Sequence, residues 1–260
     1  MNLNYKEFGS GPPLIILHGL FGSLDNWQTV ARELAEDFTV FALDLRNHGR
    51  SPHDEVHTYE AMCEDLLEFM DEHWIFETSL LGHSMGGKLA MHFALHQTDK
   101  VEKLIVVDIA PKAYPGGHEI IFRALEGLPI EDIRSRAEAD EWLSGAIIST
   151  PIRQFLLKNL KRTKDGRFAW KPNIEVLHRN YDEILREIAP PDGRVFDKPT
   201  LFVRGGRSGY ILDEDIPEIK KCFPRAEIRT IPEAGHWVHA EARETFVGMV
   251  RAFLLNQTAS

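Results

Sequence analysis

The chain of 260 residues is long enough to bury one large core, and with 43% hydrophobic and 27% charged residues it has the composition of an ordinary globular protein. A formal net charge of −10 argues against nucleic acid as a partner and offers no attraction to an anionic membrane. Cys63 and Cys222 lie far apart without metal-like spacing, no apolar run approaches a bilayer's width, and the opening residues lack a basic segment followed by an apolar one, so a reduced, cytoplasmic protein is expected.

Residues 3–8 suit an edge strand, Gly9-Ser-Gly-Pro-Pro13 is turn chemistry, and Leu14-Ile-Ile-Leu17 is wholly apolar, as a buried strand is. That strand empties into His18-Gly-Leu-Phe-Gly-Ser23. Backbone N–H groups in such a loop can face a carbonyl oxygen, and Leu20 is assigned as one oxyanion donor, with Phe21 beside it as a pocket residue. Read alone, the loop is equally well a glycine turn with a structural histidine at His18.

A helix beginning near Asp25 puts Trp27, Val30 and Leu34 on one face, and residues 38–43 form the next buried strand. Asp44-Leu-Arg-Asn-His-Gly-Arg-Ser-Pro52 follows, and a structural role is favoured, since Asp and Arg in a tight loop commonly bond the backbone and each other. The helix over 59–73 buries Met62, Leu66 and Phe69. No metal is expected: His48, His53 and His57 lie on a loop, and the pair His92 and His96 lacks the glutamate of H-E-x-x-H.

Ser79-Leu-Leu-Gly-His-Ser-Met-Gly-Gly-Lys-Leu-Ala90 reads as strand, sharp turn, helix, with Ser84 inside G-x-S-x-G. A serine on such a corner is pushed out of the sheet edge, the flanking glycines let backbone pass close by, and the helix start supplies Met85 N–H as the second oxyanion donor. Residues 101–107 form a further parallel-type strand, closing with Asp108. The β, α alternation then stops. Residues 112–197 contain helical segments near 118–126, 131–144, 151–161 and 174–188, with a turn at Asp165-Gly166 and no strong strand signal. Strand and helix resume at 200–203, 226–231 and 241–255, so an α/β core of residues 1–111 and 198–260 carries a helical cap inserted before the penultimate strand. Phe122, Leu125, Trp142, Phe155 and Leu156 in the cap are candidates for the pocket wall, as is Trp237 in the core.

Glu233-Ala-Gly-His-Trp-Val-His239 follows the last strand, where the chain order serine, acid, histidine requires the general base. His236 is assigned to it, with His239 as the competitor nearer the next helix. The acid usually follows the penultimate strand as G-x-x-D, yet this chain has Gly205-Gly-Arg-Ser208 there. Asp108, at the end of the strand after the nucleophile helix, is the favoured carboxylate, and Asp213 and Asp215 are the alternatives.

The blocks Leu17-His-Gly-Leu-Phe-Gly-Ser-Leu-Asp-Asn26, Asp44 to Pro52, Gly82-His-Ser-Met-Gly-Gly-Lys88, Asp108-Ile-Ala-Pro111, Gly205-Gly-Arg-Ser208 and Ala234-Gly-His-Trp-Val-His-Ala240 resemble the α/β-hydrolase superfamily, and within it the ybfF-type esterases and their eukaryotic relative, abhydrolase-domain protein eleven. The resemblance spans nearly the whole chain. It implies a mostly parallel sheet flanked by helices and a cofactor-free serine carboxylesterase acting on small to medium acyl esters, or on thioesters, through an acyl-enzyme. It also supports Asp108, because the displaced acid goes with the G-G-x-S loop. An acyl-CoA thioesterase or C–C bond hydrolase would use the same residues, and a ligand-binding signalling protein can occupy the same fold. Epoxide hydrolases and dehalogenases are disfavoured, since they need a carboxylate where Ser84 stands.

Overall fold

The computed structural model describes residues 1–256. The chain begins with β1 (Tyr5–Phe8), β2 (Pro13–Leu17), α1 (Gln28–Leu34), β3 (Thr39–Leu43), α2 (Tyr59–Glu72), β4 (Thr78–His83), α3 (Met85–His96) and β5 (Val101–Val107). After a long excursion it returns through β8 (Thr200–Gly205), α9 (Ile216–Cys222), β9 (Ala226–Ile231), α10 (Val238–Glu241) and α11 (Arg243–Leu255), the labels between being assigned below. These strands make one sheet in the order β1-β3-β2-β4-β5-β8-β9, antiparallel only at the β1 edge.

The apolar runs of the sequence become the central strands because both sheet faces are covered. Ile15, Leu17, Leu80, Leu104, Val106 and Phe202 pack on the face of α2 and α3, while Leu14, Ile16, Leu81, Ile105, Val107 and Leu201 face α1 and α11. Alternate residues therefore serve opposite cores, as the two-residue period of a strand dictates. Because β2, β4, β5, β8 and β9 run parallel, all their C-terminal ends open on one edge, where loops gather in such sheets. Gly82 and Gly86 let α3 leave that edge at close range: a Cβ on Gly82 would stand 2.1 Å from the Gly86 carbonyl oxygen, and one on Gly86 would stand 2.4 Å from that of Leu17. Among the described residues no helix is long and apolar enough to cross a membrane.

The excursion between β5 and β8 holds α4 (Glu119–Gly127), α5 (Arg136–Ser144), α6 (Thr150–Leu157), β6 (Leu160–Arg162), β7 (Phe168–Trp170), α7 (Ile174–Arg179) and α8 (Tyr181–Leu185). The expectation of an all-helical insertion is corrected here by an antiparallel hairpin, β6 paired with β7. Each strand has three residues, and in β6 only Leu160 is buried while Lys161 and Arg162 are exposed, too short a pattern to show a two-residue period. Asp165-Gly166 lies in its turn, with Gly166 at φ +84°. The helix expected over 151–161 stops at Leu157, and that expected over 174–188 breaks at Asn180 into two.

Lys88 docks this insertion onto the core. Wholly buried within α3, it sends Nζ to the carbonyls of Leu185 (2.9 Å) and Arg186 at the end of α8 and lies 4.9 Å from the Tyr114 ring centre. Tyr59 Oη from α2 donates to the Ile184 carbonyl beside them (2.8 Å). Burial, aided by the nearby Arg186 cation and opposed by Glu187, lowers the Lys88 pKa from its ordinary 10.5 to about 7. The folded chain thus releases a proton that the unfolded chain keeps until about pH 10.5, so this residue makes stability rise with pH between those values. In urea titrations from pH 7 to 10, the wild type should gain stability relative to Lys88→Met by about 1.4 kcal/mol per pH unit at most. A pH-independent difference between the two would show that Lys88 keeps its proton.

Candidate active site

The strand ends bring together five segments. Ser84 follows β4, its N–H donating to the Val107 carbonyl (3.1 Å), and Asp108 follows β5, its N–H donating to the Val203 carbonyl (2.8 Å), so the ladder runs one residue past each strand. Both residues are then forced into left-handed backbone, Ser84 at φ +53° and Asp108 at φ +51°, and Phe21 in the loop after β2 has φ +58°. Non-glycine residues in that region are strained, and such strain persists only where the surroundings over-determine it. Here the turns bring Ser84 and Phe21 to the wall of one cavity and Asp108 onto His236.

Asp108 is completely buried and has three donors: His236 Nδ1 at 2.8 Å on Oδ2, Ser208 Oγ on the same oxygen, and Gly205 N–H at 3.0 Å on Oδ1. With its Nδ1 proton on a carboxylate, neutral His236 carries its free lone pair on Nε2. Two neighbours, Tyr210 and His83, hold that imidazole's surroundings. The Tyr210 ring stacks on it at 3.9 Å and 19°, His83 Nε2–H donates to the His236 backbone carbonyl (2.9 Å), and the His83 ring lies 4.7 Å away. Burial, then the proximity of His236 and His239, drives the His83 pKa well below the ordinary 6.5, so His83 is uncharged.

The other candidates part ways. Asp213 is exposed and paired with Arg204 at 2.7 Å, while Asp215 accepts Lys112 Nζ and Leu212 N–H, both at 2.8 Å. Of the three carboxylates considered, Asp108 is the one hydrogen-bonded to His236. His239 lies stacked on Trp27 at 4.0 Å, its pKa lowered to about 3 by burial and then by His236 and Lys158.

Ser84, His236, Leu20, Phe21, Met85, Phe155 and Trp237 all line a cavity of about 1150 Å³. Phe122, Leu125 and Trp142, expected there from sequence, are not among its lining residues, and Leu125 is buried. Phe122 is wholly buried, stacked on His178 at 4.6 Å and edge-on to Phe21, and Trp142 is 40% exposed. An apolar residue's type says that it packs, not against which partner. Tyr114, Tyr181 and His118 line the cavity instead, and the Tyr181 hydroxyl meets His118 Nδ1 at 2.6 Å. Ser208 and Tyr210 escaped the sequence reading, although Ser208 marks the place where an acid is usual.

Phe21 N–H is donated to His48 Nε2 at 3.2 Å, so of the two adjacent amides it is committed, and Leu20 lines the cavity. Met85 is the first residue of α3, where an amide has no intrahelical acceptor. The loop after β3 is consumed by structure. Asp44 accepts Asn4 Nδ2, Leu24 N–H and Arg50 N–H, and Arg46 makes a bidentate pair with buried Asp65 at 2.6 and 2.8 Å. His18 and His48, both buried with lowered pKa values, give their Nδ1 protons to the Gly19 and Arg46 carbonyls and use Nε2 as acceptors. Among the described residues no group of three or more His, Cys, Asp and Glu side chains is arranged to hold a metal ion.

A family model for the alpha/beta hydrolase fold matches residues 12–242. The sn-1-specific diacylglycerol lipase ABHD11 of Danio rerio is 39% identical over 98% of this chain and 83% of its own length. Esterase YbfF of Escherichia coli is 37% identical over 93% of this chain and 92% of its own. A solved structure described as a marine microorganism esterase superposes with a TM-score of 0.94 at 44% identity, covering 96% of this chain and 98% of that one. The chain belongs to the alpha/beta hydrolase fold family.

Proposed function

We propose that the protein is a serine carboxylesterase that hydrolyses small to medium acyl esters through an acyl-enzyme, with residues 112–197 as a cap over the site. The observation that carries this reading is the His236 Nδ1 to Asp108 Oδ2 hydrogen bond beside a strained Ser84 on one cavity wall. In the first half-reaction Ser84 Oγ attacks the ester carbonyl carbon while His236 Nε2 takes its proton, and Asp108 orients and stabilises the imidazolium. Leu20 and Met85 N–H groups hold the carbonyl oxygen as it gains charge. Collapse of the tetrahedral intermediate breaks the bond to the alcohol oxygen, which leaves with the His236 proton. Water then attacks the acyl-enzyme by the same route and returns the proton to Ser84. The lipase and esterase relatives support ester substrates, and the cavity is slightly larger than the usual range for small-molecule sites. Cys63 and Cys222, buried and unpaired, fit a reducing compartment such as the cytoplasm.

Hydrolysis of p-nitrophenyl esters across acyl chain lengths, with acyl-CoA thioesters alongside, tests the reading. Ser84→Ala should reduce kcat by about 10⁴-fold or more and Asp108→Asn by about 10³–10⁴-fold. Asp213→Asn and Asp215→Asn should stay within about twofold, and loss in one of these with retention in Asp108→Asn would move the acid. Ester turnover that survives in Ser84→Ala would overturn the mechanism.

Ser208 donates to a wholly buried carboxylate, a hydrogen bond worth about 1.5–3 kcal/mol. Ser208→Ala should lower unfolding stability by about that amount in urea and kcat by about tenfold, with KM little changed. Ser208→Thr, which keeps the donor, should recover most of both. Equal losses in the two variants would mean that the hydroxyl is not what matters.

A further inference from the structure

Three successive peptide groups in the loop after β2 each make a hydrogen bond to a side chain. The first joins Gly19 to Leu20. Its carbonyl oxygen accepts from His18 Nδ1 (2.8 Å) and from Gly22 N–H (2.9 Å). A peptide is planar, so fixing that oxygen aims the Leu20 N–H in the opposite direction. The second joins Leu20 to Phe21, and its N–H is donated to His48 Nε2. The third joins Phe21 to Gly22, and its carbonyl oxygen accepts from Asn159 Nδ2 at 2.7 Å.

The turn needs that support. Gly22 N–H bonded to the Gly19 carbonyl closes a four-residue turn whose third residue, Phe21, has φ +58°, a place ordinarily filled by Gly or Asn. Relaxation of Phe21 out of the left-handed region would rotate its flanking peptides and swing Leu20 N–H off its aim. His18 and His48 hold the turn from the core side. Asn159 holds it from the other, and it comes from the insertion, in the link between α6 and β6. It is itself rigid: 4% exposed, its N–H donating to the Leu156 carbonyl (3.0 Å) and its carbonyl accepting Lys171 N–H (2.9 Å).

We propose that Asn159 is a positioning residue for the oxyanion site, through which the insertion sets the direction of the Leu20 N–H without touching substrate. The inference rests on the esterase reading above. It makes the insertion part of the catalytic apparatus as well as a wall of the cavity.

The test compares wild type, Asn159→Asp and Asn159→Ala as full chains. Asn159→Asp keeps the size and shape of the side chain and removes the amide donor; Asn159→Ala removes the side chain. Each is assayed for kcat and KM on a p-nitrophenyl ester, for inhibition by an alkyl boronic acid, and for thermal unfolding. The boron takes the Ser84 oxygen as its fourth ligand and presents an oxygen where the oxyanion forms, so its affinity reports on that site. Both variants should lose about ten- to a hundredfold in kcat with KM within about twofold, and boronic acid binding should weaken by the same factor as kcat/KM. His48→Gln, which keeps an acceptor for Phe21 N–H, should retain more kcat than His48→Leu. Unchanged kcat and boronic acid affinity in Asn159→Asp, in an enzyme that still depends on Ser84, would sink this inference and leave the esterase reading standing. Lower unfolding temperature with unaltered boronic acid affinity would likewise reduce Asn159 to a packing residue. Wild-type turnover indifferent to Ser84→Ala would remove the esterase reading and this inference with it.

Discussion

A carboxylate with no exposure to water organises the site. Among the described residues no lysine or arginine is hydrogen-bonded to Asp108; its donors are an imidazole, a hydroxyl and a backbone amide. Burying an unpaired charge costs far more than any one of these bonds returns, so the loops that supply the donors must be in place together. Gly205 and Ser208 lie at and just beyond the end of β8 and His236 beyond β9, so the demands of one side chain after β5 bind three strand ends into a unit. The hydroxyl of Ser208, in the loop just beyond β8, donates to Asp108 from there.

Around that unit the protein places uncharged histidines. His18, His48, His83 and His239 are all buried, and burial is the first cause of the lowered pKa of each. A neutral imidazole offers one donor and one acceptor on a rigid ring, which lets it splice two backbone segments that a hydroxyl or an amide could not span. His18 joins the loop after β2 to Leu45, His48 joins the same loop to Arg46, and His83 ties the residue before Ser84 to the backbone of His236. Kept neutral, they also spare His236 the repulsion of neighbouring cations as it gains a proton in the proposed mechanism.

The insertion is attached at specific polar points and not only by apolar contact. Lys88 and Tyr59 from the core donate to the last carbonyls of α8, and Asn159 from the insertion donates back to the Phe21 carbonyl. Lys88 makes its contribution at the expense of burying an amine whose pKa is thereby lowered to about 7, an arrangement that trades stability for a defined seat of α8 over the cavity. Hydrophobic packing alone would tolerate small slides of one layer over the other; directed hydrogen bonds do not.

Periodicity and turn chemistry made much of this legible in sequence. The apolar strands, the strand, turn and helix around Ser84, the loops carrying His18 and His236, and the long interruption before β8 all rest on local rules that hold wherever the chain later packs. Local rules end where the signal is short or the partner distant. The β6 and β7 strands have too few residues for a period, and their pairing is what makes them strands. Position along the chain favours Asp108 and leaves Asp213 and Asp215 as alternatives; what separates the three is which side chains the sheet edge brings within reach. Phe122 and Trp142 carry the same apolar signal as Phe155, and only the packing of the insertion sorts cavity wall from interior and surface. Asn159 has no local mark at all, since it reaches Phe21 across 138 residues of chain. The sequence by itself determined the strand, turn and helix that carry Ser84; only the tertiary structure decided which side chains converge on them, because hydrogen bonds between distant segments depend on the register of the sheet and the seat of the insertion.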